Sequence, residues 1–148
     1  NRRYFYYSMQ KMDTDSLAVI YLDLDCFKQL NDEYGHQAGD AALAGFATLL
    51  QASFADGIIA RMGGDEFVVA LQGEYTKDEM CQRLDGFMEK MRAFFDMNHE
   101  FKNLSVSIGV LLEKNNDGQV DVLLHKSDEA MYRAKKSGKN RYCFYEDI

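Results

Sequence analysis

The sequence predicts an α+β fold, a ferredoxin-like or palm-like sandwich in which helices cover a mainly antiparallel five-stranded central sheet. The first observation is the order of apolar extended runs and helical periodicities, which is βααββαβαβ after an N-terminal helix. The second is a hydrophobic content of 47%, typical of a folded core. The third is continuity, because the 148 residues contain no proline, no low-complexity linker and no internal repeat. We therefore expect one domain, residues 1–148.

A helix and a buried strand open this order. Residues 2–12 are predicted to be helical, with Phe5, Met9 and Met12 on one face. Residues 17–22 form an unbroken apolar run, which is typical of a strand buried on both faces.

Two helices of unequal length and a hairpin follow. A short helix is predicted over residues 27–34, closed by Gly35, and a long one begins at Asp40, which fits an N-cap. The long helix has apolar residues at helical spacing, namely Leu43, Phe46, Ala47, Leu50 and Phe54. Residues 58–71 predict a β-hairpin with Gly63-Gly64 at the bend, where positive φ would let another molecule approach the main chain closely.

A second long helix begins at a capping box formed by Thr76 and Glu79. Its predicted inward positions are Met80, Leu84, Phe87, Met91 and Phe94. Alternating residues over 104–112 then predict a half-buried strand.

The remaining elements are a turn, a helix and a strand. The turn is predicted at residues 115–118, the helix over roughly 121–137 with its end at Gly138, and the strand over 141–145.

Composition and charge narrow the function classes. A net charge of −7 argues against a general binder of nucleic acids or membrane surfaces, which would need a broad basic face. Cys26, Cys81 and Cys143 are too scattered for a zinc site or a disulfide set, so reduced thiols and a cytoplasmic location are expected. No apolar run is long enough to span a membrane. We interpret the chain as a fragment of a longer protein, in which any membrane anchor lies outside these residues.

Acidic residues cluster at the ends of two predicted strands. Asp23 and Asp25 end the first strand, and residues two apart in an extended chain share a face. Asp65 and Glu66 follow the hairpin glycines, where adjacent carboxylates repel each other unless a cation or donor lies between them. Such hard oxygen ligands suit Mg²⁺, with Mn²⁺ possible. Taken alone, the glycine–aspartate bend favours ordinary turn chemistry with solvated charges.

Groups that can bind phosphate follow Asp25. A helix start there offers the free amides of Cys26 and Phe27, and Lys28 in the first turn can reach the same phosphates. An Asp25 N-cap with a solvated lysine is the alternative. Lys135, Lys136 and Lys139 surround a predicted helix C-terminus and are either a second phosphate-binding group or solvated cations favoured by the helix dipole.

An amide and a carboxylate are available to recognise a base. Asn31 lies one turn beyond Lys28, and Asp40 can reach the same space. A carboxylate accepts from the N1–H and N2–H₂ donors of guanine, which adenine lacks at those positions. Capping is the alternative role for Asp40, and His36 is predicted to pack in a loop instead of acting as a base.

The chain resembles the GGDEF domain of diguanylate cyclases from Asn1 almost to its end. The family is named for the motif Gly-Gly-Asp-Glu-Phe, which occurs here as Gly63-Gly64-Asp65-Glu66-Phe67. Further matching segments follow in the family's order: residues 1–3, 23–28, 31–32, 34–36, 39–40, 61–62, 107–110, 130–135 and 138–141.

The resemblance implies condensation of two GTP molecules into cyclic di-GMP with release of two pyrophosphates. The implied metal ligands are Asp23, the Leu24 carbonyl and Asp65. The implied catalytic residues are Asp65, Glu66 and Lys28, with either acid assisting loss of the 3′-hydroxyl proton. The implied substrate-binding residues are Cys26, Phe27, Asn31, His36, Asp40, Gly63, Gly64, Lys135 and Lys139.

Partners follow from the same resemblance. Each domain would hold one GTP, so the active unit is expected to be a homodimer with facing sites, controlled by an upstream sensor domain. Many family members carry an inhibitory Arg-x-x-Asp site ahead of the hairpin. Residues 54–57 here are Phe-Ala-Asp-Gly, so product inhibition through that site is expected to be absent.

Two other functions remain open at this stage. One is a catalytically silent GTP-binding module that signals to an attached domain, although both hairpin acids are retained here. The other is a different palm-type nucleotidyltransferase, against which Asp40 and the hairpin string argue.

Overall fold

A computed structural model describes residues 1–12, 15–114 and 119–148. The helices are α1 (Arg2–Lys11), α2 (Phe27–Tyr34), α3 (His36–Ser53), α4 (Lys77–Asp96) and α5 (Val120–Lys136). The strands are β1 (Ser16–Asp25), β2 (Ile58–Arg61), β3 (Glu66–Gln72), β4 (Ser105–Lys114) and β5 (Arg141–Phe144). Short 3₁₀ helices lie at His99–Phe101 and Tyr145–Asp147. The turn predicted at residues 115–118 lies outside the described residues.

The five strands form one sheet in the order β2-β3-β1-β4-β5. Every neighbouring pair is antiparallel except β4 and β5, which are parallel. The predicted α+β fold with a mainly antiparallel sheet is therefore confirmed. The central strand β1 is longer than predicted, because β4 pairs with it from Ser16 to Asp25. The acids expected beyond the strand end therefore lie within the strand.

Helices cover both faces of the sheet. On one face α2, α3 and α4 pack over a phenylalanine- and leucine-rich core, which includes Leu22, Leu30, Phe46, Phe67, Leu84 and Phe87. On the other face α1 and α5 pack over a second cluster, which includes Phe5, Met9, Tyr21, Val68, Leu123 and Met131. No helix in the described ranges is both long and apolar enough to cross a membrane.

The strand predicted to be half-buried, β4, is buried on both faces from Val106 to Leu111. Its glycine, Gly109, faces a helix instead of solvent. A Cβ atom at Gly109 would lie 2.2 Å from both the Ser127 carbonyl oxygen and the Met131 amide nitrogen. The missing side chain of Gly109 therefore allows α5 to pack directly on β4. At this position the small residue in the alternating pattern indicates close helix packing, not exposure to solvent.

The predicted N-cap of the long helix is wrong. Helix α3 begins at His36, and Gly35 is its N-cap with a φ of 91°, which also ends α2. A glycine tolerates this left-handed conformation, so the chain turns directly from one helix into the next. Asp40 consequently lies exposed inside α3, and His36 is exposed at its first position instead of packed in a loop.

The predicted start of α4 is confirmed, whereas one of its buried positions is not. Thr76 Oγ accepts from the Glu79 amide at 3.1 Å, and Glu79 Oε1 accepts from the Thr76 amide at 2.9 Å. Phe95, instead of Phe94, is buried near the end of the helix. A Cβ atom at Gly45 would lie 2.0 Å from the Phe94 ring, so that ring packs against the backbone of α3.

Candidate active site

Acidic residues and a lysine from three parts of the chain meet at one end of β1. The amide of Leu24 donates to the Asp65 carbonyl at 3.2 Å, which attaches the hairpin bend to β1. From α5, Lys135 Nζ lies 3.1 Å from Asp23 Oδ2 and 3.2 Å from Asp25 Oδ1. The fold thus brings together acids that are about forty residues apart in sequence.

Asp23 is a buried carboxyl group with an unsatisfied oxygen. Its Oδ1 atom has no hydrogen-bond partner in the part of the chain that the structure describes. Burial, followed by the charge of the Asp65 carboxyl group, raises the pKa of Asp23 to about 7, and Lys135 opposes the shift. Two carboxyl groups that interact in this way, with an oxygen left over, favour a cation between them.

The donor chemistry fits a hard divalent ion. Asp23 and Asp65 offer only oxygen atoms, which suit magnesium or manganese. Across residues 1–12, 15–114 and 119–148, no group of three or more His, Cys, Asp or Glu side chains is arranged to hold a metal ion. Magnesium is commonly bound by one or two carboxylates together with substrate phosphates. The pair therefore fits an ion that arrives with a phosphorylated ligand.

Asp25 has the opposite environment. Its side chain has no solvent exposure. It accepts from Ser105 Oγ at 2.6 Å, Ser107 Oγ at 2.7 Å, Lys135 Nζ at 3.2 Å and the Asn140 amide at 3.1 Å. The expectation that Asp23 and Asp25 project together beyond the strand is therefore wrong. The two share a face, but Asp25 is enclosed by protein donors that sequence spacing did not reveal.

The start of α2 differs from the alternative in which Asp25 is the N-cap. Cys26 occupies the N-cap position with a φ of 65° and makes no side-chain capping hydrogen bond. Phe27 is the first helical residue, and Lys28 is exposed in the first turn. The turn therefore places the lysine at the surface directly after the buried acids.

Glu66 is oriented by a tyrosine that the sequence analysis did not identify. The hydroxyl of Tyr21 donates to Glu66 Oε1 at 3.2 Å. Burial, followed by the charge of Glu66, raises the pKa of Tyr21, so the phenol remains a donor. Glu66 is paired with Asp23 across the β1–β3 ladder. The detectable signal was the position of Tyr21, two residues before Asp23 and hence on the same face.

The hairpin bend is held by Arg61. Its Nε donates to the Gly63 carbonyl at 3.0 Å, and its Nη2 donates to the Gly64 carbonyl at 2.5 Å. The hairpin is confirmed, but neither glycine is left-handed, so the expectation of positive φ is wrong. Both glycines are exposed, and a Cβ atom at Gly64 would meet nothing within 4 Å. Among the described residues the bend is open to a ligand at Gly64, and unusual backbone angles are not needed.

The Asn31 side chain packs against Gly39, the residue directly before Asp40. The Asn31 Oδ1 atom is buried and has no hydrogen-bond partner among the described residues. A Cβ atom at Gly39 would lie 1.9 Å from that oxygen, so the glycine makes room for the amide. Asp40 follows directly and is exposed. The exposed Asp40 carboxylate can accept hydrogen bonds from a ligand, and the Asn31 amide oxygen lies nearby in sequence without a donor among the described residues.

The loop after α5 contains three consecutive residues with positive φ. These angles are 125° at Gly138, 63° at Lys139 and 52° at Asn140. Besides the Asn140–Asp25 hydrogen bond, Arg141 Nε donates to the Lys139 carbonyl at 3.0 Å. The loop therefore presents an exposed lysine on a defined backbone.

The corner ahead of the hairpin contains an ion pair. Arg83 from α4 contacts both carboxylate oxygens of Asp56, at 3.1 and 2.9 Å, and lies over the Phe54 ring. The Arg83 hydrogen bonds lower the pKa of Asp56. Asp56 is therefore already paired within the domain.

Three comparisons place these features among known proteins. Residues 1–141 match the family model described as "Diguanylate cyclase, GGDEF domain". The chain is 37% identical over 136 residues to the bifunctional diguanylate cyclase/cyclic di-GMP phosphodiesterase MucR of Pseudomonas aeruginosa, covering 90% of this chain and 20% of MucR. It is 35% identical over 150 residues to the diguanylate cyclase DgcS of Shewanella oneidensis, covering 96% of this chain and 49% of DgcS.

A solved structure gives the same relationship. The active GGEEF domain of a diguanylate cyclase from Vibrio cholerae has a TM-score of 0.75 and 27% identity, covering 98% of this chain and 96% of that one. The chain thus matches a whole domain, whereas it spans 20% and 49% of the two curated relatives.

Proposed function

Because this chain belongs to the GGDEF family, we propose that it is a diguanylate cyclase domain that condenses two GTP molecules into cyclic di-GMP and releases two pyrophosphates. The observation that carries the proposal is the pairing of the Asp23 and Asp65 carboxyl groups, with Asp23 Oδ1 left without a donor among the described residues. A purely structural acid pair would be expected to satisfy that oxygen.

Each bond-forming step joins the 3′-oxygen of one GTP to the α-phosphorus of the other. The bond from that phosphorus to the pyrophosphate breaks, and the 3′-hydroxyl proton must leave. Asp23, the Leu24 carbonyl and Asp65 are the residues that would hold Mg²⁺. The ion would supply positive charge against the phosphate oxygens.

We propose that Glu66 is the group that accepts the 3′-hydroxyl proton. The Asp65 carboxyl group is engaged with Asp23, whereas Glu66 is oriented by Tyr21 through Oε1. Its second oxygen is then available to accept the 3′-hydroxyl proton. Lys28, Lys135 and Lys139 would offset the charge of the triphosphate and of the departing pyrophosphate, since they surround the same end of β1.

Asn31 and Asp40 would select guanine. The carboxylate of Asp40 can accept from N1–H and N2–H₂, and adenine would leave it unpaired. The unsatisfied Oδ1 of Asn31 supports a ligand contact at this position. One GTP per domain then requires a second, twofold-related domain to present the other substrate.

The direct test is a product assay on the purified protein. The domain alone and the domain fused to a dimerising coiled coil are incubated with GTP and Mg²⁺, and the nucleotides are separated by chromatography. Cyclic di-GMP from the fused protein is the expected result. GTP binding without product from either protein would contradict the proposal and indicate a silent regulatory module. Equal use of ATP would indicate another nucleotidyltransferase.

A further inference from the structure

We propose that Asp25 is a positioning residue that holds two of the three lysines of the proposed triphosphate site, Lys135 and Lys139, in place. The inference deepens the proposed function and rests on it for the identity of the ligand. Asp25 does not contact the substrate in this proposal, because its carboxylate is enclosed by four protein donors.

The first connection is the direct ion pair with Lys135. The ammonium group lies between two carboxylates, 3.1 Å from Asp23 Oδ2 and 3.2 Å from Asp25 Oδ1. Asp23 belongs to the proposed metal site, so its oxygens serve a ligand as well as the lysine. Asp25 is a second anchor that stays in the protein interior. Lys135 therefore keeps its position when Asp23 engages a ligand.

The second connection runs through the loop after α5. Lys139 and Asn140 both adopt left-handed backbone conformations, which cost free energy for residues with a Cβ atom. The Asn140 amide donates to Asp25 Oδ2 at 3.1 Å and compensates part of that cost. Because Lys139 immediately precedes this hydrogen bond, the same carboxylate fixes the backbone that presents the second lysine.

The remaining donors show why a carboxylate is suited to this position. Ser105 and Ser107 of β4 donate to different oxygens of Asp25, at 2.6 and 2.7 Å. They hold the carboxylate in one orientation, with Oδ1 toward Lys135 and Oδ2 toward Asn140. An asparagine has the same shape but only one acceptor oxygen, so it cannot serve both connections.

The test compares the affinity for GTP with the affinity for GMP. Both nucleotides carry guanine and the α-phosphate, but only GTP carries the β- and γ-phosphates that the lysines would contact. Asp25→Asn is expected to weaken GTP binding by about tenfold, as for the loss of a charged hydrogen bond, while GMP binding changes by less than about twofold. The measurement is calorimetric titration in Mg²⁺ below the melting temperature.

Glu113→Gln is the matched control. It removes a partly buried carboxylate that pairs with Lys126 Nζ at 3.3 Å, and this pair also joins β4 to α5. Both nucleotide affinities should remain those of the natural protein. In Asp25→Asn, an unchanged ratio of GTP affinity to GMP affinity would overturn the inference. An equal loss of both affinities would show a merely structural role, and no loss of either would show no role in binding.

A second variant keeps the inference testable if Asp25→Asn does not fold. Ser107→Ala removes one neutral donor but leaves the carboxylate, its lysine and the Asn140 amide in place. It should lower the GTP-to-GMP affinity ratio in the same direction as Asp25→Asn but by less, because Ser105 still orients the carboxylate, and an unchanged ratio would contradict the inference. If the natural protein binds GTP no more tightly than GMP, the proposed function fails as well. A natural preference that persists in Asp25→Asn overturns the inference alone.

Discussion

Asp23 and Asp25 lie two residues apart on one face of β1, yet their surroundings differ in kind. The Asp25 carboxylate accepts from four protein donors, whereas Asp23 Oδ1 has none within the described residues. Lys135 is shared by both. The strand geometry explains why the two point the same way, and the elements packed around them decide what each can do. Asp25 has protein donors for both of its oxygens and supports the structure. Asp23 has one oxygen without a donor among the described residues and is suited to a ligand.

The Asp65→Asn variant should have the largest effect. It removes a charge from the incomplete acid pair, so cyclic di-GMP formation should fall by more than about 100-fold. The melting temperature should not fall, because one of two repelling carboxylates is lost. Product chromatography and calorimetry measure the two effects. Glu89→Gln, at an exposed site on α4, is the control, and turnover that survives in Asp65→Asn would contradict the assignment.

The Asp25→Asn variant, unlike Asp65→Asn, should be less stable than the natural protein. Loss of a buried carboxylate that serves charged and neutral donors should lower the free energy of unfolding by about 2 kcal/mol. Glu113→Gln, which removes the partly exposed acid of the Glu113–Lys126 pair, should lower the free energy of unfolding by no more than about 0.5 kcal/mol. Urea unfolding compares the two variants. Equal losses would mean that the saturated environment of Asp25 contributes nothing special.

A smaller effect is expected at the base-recognition site. Asp40→Ala removes the carboxylate proposed to accept from guanine, which should reduce the preference for GTP over ATP by about tenfold. The fold should be unaffected, because Asp40 is exposed and does not cap α3. Competition binding with the two nucleotides measures the preference. An unchanged ratio would remove Asp40 from the proposed site.

The last prediction concerns the contribution of Asp23 to the pH dependence of stability, measured in EDTA. Its folded-state pKa is raised to about 7, mainly by burial and then by Asp65. The folded protein therefore holds this proton more tightly than the unfolded chain, and the associated stability is lost as pH rises from about 4 toward 7. Asp23→Asn should gain stability relative to the natural protein across that range. A constant difference from pH 4 to 8 would contradict the raised pKa.

Local chemistry made much of the fold predictable. The capping box at Thr76 and Glu79 and the hairpin around Gly63 depend on residues close in sequence, and both were predicted correctly. The start of α3 was not, because Gly35 allows a direct helix-to-helix turn and Asp40 is then unnecessary as a cap. Burial of both faces of β4 depends on contact with α5, which alternation alone cannot reveal.

The candidate site was predictable to a similar extent. The acids of the site and the exposed lysines stand out as motifs in the sequence. The saturation of Asp25 does not, because its donors Ser105, Ser107 and Asn140 are 80 to 115 residues away. The Tyr21–Glu66 hydrogen bond likewise depends on the register of β1 against β3.

The difference between the proposed metal site, Asp23 with Asp65, and the enclosed Asp25 can be measured directly with Mn²⁺ as a spectroscopic substitute for Mg²⁺. Electron paramagnetic resonance reports free and bound Mn²⁺ at a saturating concentration of a non-hydrolysable GTP analogue. The natural protein and Asp25→Asn should both retain bound Mn²⁺, whereas Asp65→Asn should lose it. Equal Mn²⁺ binding by Asp65→Asn and the natural protein would contradict the claim that Asp23 and Asp65 share a cation.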